Sequence, residues 1–211
     1  MLEFKNVTIR KGNFTLSDIN FQLEKGYILG ILGKNGAGKT TLLKSMVERG
    51  TDYTGEICFE GKDIRKEKEW FLEKCAYIAD DNKFFTKKTA MENVELFRVF
   101  YEKLDLEKFQ TYMKEMEVSC HKKIGAMSRG QFIRFQLAFA RARHAQVYLL
   151  DEATAGMDPV FRREFYQILR QIVSEEATVL MTTHIQSDIE KNIDYICRLE
   201  EGKMRFFGEN L

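Results

Sequence analysis

Proline is almost missing from this sequence: Pro159 is the single example in 211 residues. With no Pro-rich, Ser/Gly-rich or low-complexity stretch and no internal repeat, nothing divides the chain into independent halves, and one domain over residues 1–211 is expected. Long apolar runs are lacking as well. The longest, at residues 27–32 and 147–150, fall far short of the roughly 18 residues that mark a membrane-spanning helix. If the protein serves a membrane, another chain must cross it. Nor does charge of one sign dominate. Lys and Arg total 33 against 32 Asp and Glu, which excludes a general field drawing the chain to nucleic acid or to anionic lipid, so any phosphate binding must be local. The four cysteines, Cys58, Cys75, Cys120 and Cys197, have neither C-x-x-C nor metal-ligand spacing. No secretory leader precedes Leu2, and reduced thiols in a cytosolic protein are the expectation.

What is present is an apolar content of 44%, enough to bury a sizeable core at this length. Residues 2–9 and 14–23 alternate apolar and polar positions around Lys11-Gly12-Asn13, the pattern of an antiparallel hairpin. A buried strand at 27–32 opens into a glycine-rich loop and a helix from Lys39 to about residue 48. Short strands are expected at 55–59 and 75–79. Residues 89–118 carry helical periodicity, with Val94, Phe97, Tyr101, Leu104, Phe109 and Met116 apolar. From Ser128 the alternation returns: helix to about 143, strand 147–150, helix through 172, strand 178–181, another helix, then strand 195–199. This predicts an α/β fold with a mixed β core, residues 1–81 and 127–211, interrupted by a helical insertion at 82–126. The mixed charge run at 62–69 reads as a solvated helix.

Gly33-Lys34-Asn35-Gly36-Ala37-Gly38-Lys39-Thr40 satisfies G-x-x-x-x-G-K-[ST] between a buried strand and a helix. A chain of this length matches the pattern by chance roughly one time in a hundred, and the strand–helix setting lowers that further. The glycines let backbone N–H groups turn inward around phosphates, the helix start adds positive potential, and Lys39 reaches the β- and γ-phosphates. Thr40 is placed to hold magnesium, with Thr41 beside it. ATP and Mg2+ are the expected ligands. The strand at 147–150 delivers Asp151 and Glu152 at its carboxyl end, the edge where open parallel sheets bind ligands. There Asp151 suits the magnesium bridging the phosphates, and Glu152 suits a role orienting or deprotonating the attacking water.

Many proteins share such a loop, so a second signal must choose among them. Met127-Ser128-Arg129-Gly130-Gln131 resembles the signature of the ABC (ATP-binding cassette) transporter family, usually Leu-Ser-Gly-Gly-Gln, and it stands one helix before the 147–152 strand as that family requires. Ser128 with Gln131 also makes a helix capping box, and a capped helix end presents N–H groups to a phosphate. Residues 151–159 resemble the family's joined Walker B and D-loop segment, with Asp158 at the D-loop aspartate. Thr182-Thr183-His184 resembles the switch-histidine segment, which would bring His184 to the γ-phosphate.

Three positions depart from the family pattern. Where it expects a glutamine after the strand ending at Ala79, this chain has Asp80, Asp81 and Asn82; Asp80 becomes a candidate magnesium ligand, and its charge predicts an unusually steep dependence of nucleotide affinity on the metal. Lys11 falls near the place of the adenine-stacking aromatic. Phe14 is the nearest substitute, although a strand phenylalanine also serves a core. Arg129 replaces the first signature glycine, and a cation facing a triphosphate assists it.

The resemblance implies a head-to-tail homodimer or heterodimer in which Ser128, Arg129, Gly130 and Gln131 of one copy close the ATP site of the other. It further implies separate transmembrane permease subunits, no nucleic acid partner, and a peripheral position on the cytoplasmic face of the cell membrane. Docking is expected on the helical insertion and the Asp80 region, with Phe84, Phe85 and Met91 as apolar contacts. Compact cassettes of this kind resemble those of bacterial peptide, lantibiotic or drug export. Two alternatives stand beside this ATPase: a nucleotide-gated ABC switch that hydrolyses slowly, and a soluble P-loop kinase.

Overall fold

The computed structural model describes residues 1–81, 84–183 and 192–210. Strands β1 (Leu2–Lys11) and β2 (Phe14–Leu23) form the expected hairpin, with Lys11 opposite Phe14 and Gly12 taking the positive φ of 57° that a two-residue turn requires. The buried strand β3 (Ile28–Leu32) runs into the phosphate loop and α1 (Lys39–Val47). Strand β4 (Asp52–Phe59) starts three residues before the expected position because it pairs along most of β1.

The charge run that predicted a solvated helix divides instead into β5 (Lys62–Asp63), a turn, and the start of α2 (Lys68–Lys74). The Asp63 carboxylate accepts the Arg65 N–H at 2.8 Å and Ile64 is fully buried, which anchors a turn there. Strand β6 (Cys75–Ile78) follows.

The periodic stretch after residue 89 also divides, into α3 (Ala90–Phe97), a 3₁₀ turn (Arg98–Phe100) and α4 (Leu106–Glu115). Each helix has its own cap: Thr89 and Glu92 make a capping box, and Asp105 accepts the Lys108 N–H. Then come α5 (Arg129–Ala142), β7 (Val147–Leu150), α6 (Pro159–Ser174), β8 (Thr178–Thr182), β9 (Tyr195–Glu200) and β10 (Lys203–Glu209). The lone proline sits at the first position of α6, where its missing N–H costs nothing. The helix expected between β8 and β9 falls on residues 184–191, outside the described residues. Strand β10 was not expected from the sequence pattern.

The described strands form one sheet in the order β5-β4-β1-β2-β10-β9-β3-β8-β7-β6. Strands β9, β3, β8, β7 and β6 run parallel, β5, β4, β1 and β2 are mutually antiparallel, and β10 joins the halves by pairing antiparallel to β9 and parallel to β2. Period-two alternation sorts the parallel strands into two cores. Tyr148, Leu150, Val179 and Met181 join the aromatic cluster of α3 to α6, whereas Val147, Leu149 and Leu180 join the cluster built on α1, β1, β2 and β4. The phosphate loop, Asp80, Asp151 and Thr182 consequently emerge at the same carboxyl edge of the parallel strands.

Candidate functional site

The phosphate loop owes its path to two glycines. A Cβ at Gly33 would stand 2.5 Å from the Leu199 carbonyl oxygen and 2.9 Å from the Ala37 Cβ, so only glycine passes. Gly38 caps α1 with φ 106°, a left-handed conformation, and the first intrahelical bond runs from the Leu42 N–H to its carbonyl. The N–H groups of Lys39, Thr40 and Thr41 are therefore left to face a ligand. Lys39 is buried, its amino group donating to the carbonyls of Gly33 at 2.8 Å and Lys34 at 3.1 Å. A cavity of about 430 Å³ opens over the loop, lined by Lys11, Phe14, Asn35, Gly36, Gly38, Lys39, Thr40, Thr41 and Glu152. Phe14 thus stands at its wall while also packing on the β1–β2 core.

Asp151 is the meeting point of three hydroxyls. Its Oδ1 accepts from Thr40 at 3.0 Å and from Thr182 at 2.9 Å, and its Oδ2 accepts from Tyr77 at 2.9 Å. Burial, reinforced by the Asp151 charge, pushes the Tyr77 phenol far above its ordinary range, so it stays a donor. Glu152 lines the cavity with an unusual backbone, φ 51°, and its N–H donates to Thr182 Oγ1 at 2.7 Å. Sequence reasoning missed Tyr77 and Thr182. Thr182 carried a signal in its place at a strand end; Tyr77 carried none.

The signature segment lies apart from this cavity. Ser128 caps α5, accepting the Gln131 N–H at 3.3 Å, while Gln131 Oε1 accepts the Ser128 N–H at 3.1 Å and Lys122 Nζ at 2.8 Å. None of Ser128, Arg129, Gly130 and Gln131 lines the cavity.

Arg129 and Asp80 hold each other: Nε lies 2.9 Å from Asp80 Oδ1 and 2.7 Å from Oδ2. Asp80 thus has a guanidinium partner, while Thr40 and Asp151 bond to each other. Its neighbour Asp81 bonds Lys44 of α1 at 3.0 Å and raises the Lys44 pKa.

Asp158 caps α6, accepting the N–H groups of Val160 and Phe161, each at 3.0 Å. His184 and Asn82 fall outside the described residues. Of the expected docking residues, Phe84 is half-buried and packed edge-on against Phe97, Phe132 and Phe135, and Met91, also half-buried, packs on the same cluster. Phe85 is exposed, as are Leu96, Val99 and Phe100.

All four cysteines are free, and burial raises each thiol, Cys75 and Cys197 to about 12. No helix among the described residues is long and apolar enough to cross a membrane.

Residues 16–155 match the family described as ABC transporter. The chain is 33% identical over 194 residues to the ABC transporter ATP-binding protein YtrB of Bacillus subtilis (strain 168), covering 92% of this chain and 66% of that protein. It is 27% identical over 196 residues to the bacitracin transport ATP-binding protein BcrA of Bacillus licheniformis, covering 90% and 63%. It thus spans about two thirds of the length of these relatives. A solved structure described as the ATP binding subunit of an ABC transporter superposes with a TM-score of 0.87 over 99% of this chain and 90% of that one, at 22% identity, which speaks for the fold. With residues 16–155, most of its length, inside the family match, the chain belongs to the ABC transporter family as an ATP-binding, ATP-hydrolysing cassette.

Proposed function

We propose that this cassette pairs head to tail with a second copy or a related one, encloses two ATP molecules, and drives transport through separate membrane-spanning subunits at the cytoplasmic face. One observation carries the reading: the cavity over the phosphate loop contains no signature residue, while Ser128 is exposed at a capped helix start. The remaining N–H groups at the start of α5, those of Arg129 and Gly130, suit a γ-phosphate brought by another chain. The family match sets aside the soluble kinase.

Within each site Lys39 and the N–H groups of the α1 start hold the phosphates, Phe14 stands where a base can stack, and Glu152 orients the attacking water. Magnesium fits at Thr40 and Asp151, because the donors gathered there are all oxygen, the set a hard cation takes. When bound, it supplies charge neutralisation on the β- and γ-phosphate oxygens. His184 completes the set by the resemblance alone. The exposed Phe85, Leu96, Val99 and Phe100 offer an apolar face for the membrane subunit. The bacitracin transport relative supports a cargo of that kind.

The test is Glu152→Gln. ATP should still bind, phosphate release should fall to background, and light scattering should show a nucleotide-held dimer; isolated subunits at saturating ATP would refute the pairing. A slowly hydrolysing switch is the second reading, favoured by the absence of a glutamine where Asp80 stands. Native phosphate release no faster than that of the Glu152→Gln variant, with ATP still closing the dimer, would select it.

A further inference from the structure

The two departures at Asp80 and Arg129 form one device. Arg129 opens α5, and its planar cation reaches three groups on two loops: Nε meets Asp80 beyond β6, Nη2 donates to the Glu152 carbonyl at 2.9 Å, and Nη1 donates to the Ala155 carbonyl. Glu152 needs such support. Its φ of 51° is a left-handed conformation that a residue with a Cβ adopts only when its surroundings impose it. Both ends of its backbone are tied, the N–H to Thr182 Oγ1 and the carbonyl to Arg129 and to the Ala155 N–H at 3.1 Å, and the same residue lines the nucleotide cavity.

We infer that Arg129 is a positioning residue for Glu152. Its guanidinium fixes the left-handed turn that places the Glu152 carboxylate at the cavity wall, and Asp80 orients the guanidinium. A helix start in this family would ordinarily need no such cation, and a lysine could not serve, because an ammonium is a point charge without the fork that meets three acceptors in a plane. Asp80 therefore acts on the reaction through Arg129. The inference rests on the proposed role of Glu152 in orienting water.

The experiment is steady-state and single-turnover ATP hydrolysis by the full chain, with ATP affinity measured by titration on the same samples. Arg129→Ala should lower kcat by about tenfold to a hundredfold with little change in affinity, the pattern of a misplaced catalytic group. Arg129→Lys should recover little of that loss, and Asp80→Asn should fall between native and Arg129→Ala. In a Glu152→Gln background, where hydrolysis is already at background, Arg129→Ala should leave ATP affinity and the nucleotide-held dimer unchanged, because its only task is to position the group already gone.

The exchanged pair Asp80→Arg with Arg129→Asp should stay impaired, since a carboxylate at 129 would face the Glu152 and Ala155 carbonyls. Native kcat in Arg129→Ala, full rescue by Arg129→Lys or by the exchange, or loss of ATP binding or of the nucleotide-held dimer when Arg129→Ala is added to Glu152→Gln would each overturn the inference. If Glu152→Gln alone left hydrolysis intact, the parent assignment of Glu152 would fall with it. If Arg129→Ala fails to bind ATP, Asp80→Asn and Arg129→Lys decide, since each keeps part of the contact.

Discussion

Thr40 Oγ1 donates to Asp151 Oδ1 across 3.0 Å, joining the first turn of α1 to the end of β7 over the intervening strand β8. Strand β8 contributes Thr182 to the same oxygen, and β6 contributes Tyr77 to the other. Three strands and a helix are thereby stitched through one carboxylate. In Asp151→Asn the charge that strengthens these bonds disappears, and the amide presents N–H donors where a hydroxyl also donates. The expected cost is about 1–3 kcal/mol of stability, read by urea unfolding, together with loss of ATP hydrolysis. An unchanged unfolding midpoint would show that the hydroxyls find water just as well.

The phosphate-loop glycines should differ in what they tolerate. Gly33→Ala drives a methyl into the Leu199 carbonyl and the Ala37 side chain, so the loop must move away from β9. We expect nucleotide binding to be lost and stability to fall by about 1–3 kcal/mol, the usual range for overpacking. Gly36→Ala meets no atom within 4 Å and has only its φ of 83° to overcome, at about 1 kcal/mol. ATP titration and thermal melts of the two variants separate steric from conformational demand; equal losses would contradict it.

Much of this site could be read before the fold was known, and the exceptions share a cause. Strand β7 was legible because four apolar residues buried on both faces end abruptly in two acids, and the loop before α1 because its glycines and Lys39 keep fixed spacing. Strand β10 was not legible: only partly buried, with Phe206 exposed, it lacks the clean alternation that reveals an edge between core and solvent. Tyr77 and Asp151 stand 74 residues apart, and only the pairing of β6 with β7 makes them neighbours. The Asp80–Arg129 pair offered one clue, two departures from a family pattern with opposite charge, but the clue names a contact only once β6 and α5 are packed together.

Two carboxylates contribute to the acid limb of stability. The Lys25 ammonium, bonded to Glu60, and the Thr89 N–H, bonded to Glu92, both hold their partners below the ordinary carboxylate value of 4.5. A pKa lowered by folding contributes stability above 4.5 that disappears as pH falls through the lowered values. Melting temperature should therefore be insensitive to these groups between about pH 7 and 5 and decline below 4.5. Glu60→Gln combined with Glu92→Gln should flatten that decline. A melting profile of the double variant parallel to the native one would assign the acid limb to other groups.

Gln136 supplies a strand partner where the sheet ends. Strand β6 is an edge, and just beyond it the buried Gln136 side chain of α5 donates to the Ala79 carbonyl at 3.0 Å and accepts the Ala79 N–H at 3.3 Å, as a neighbouring strand would. Gln136→Leu keeps the volume and strips both backbone groups of that partner, so stability should fall by about 2–4 kcal/mol. The next residue is Asp80, which orients Arg129, so a loosened Ala79 should also lower kcat while leaving ATP affinity near native. Urea unfolding and a kcat measurement on one preparation test both effects. A variant of native stability would show that Ala79 is satisfied without Gln136, and a destabilised variant with native kcat would show that the clamp supports the sheet but not the site.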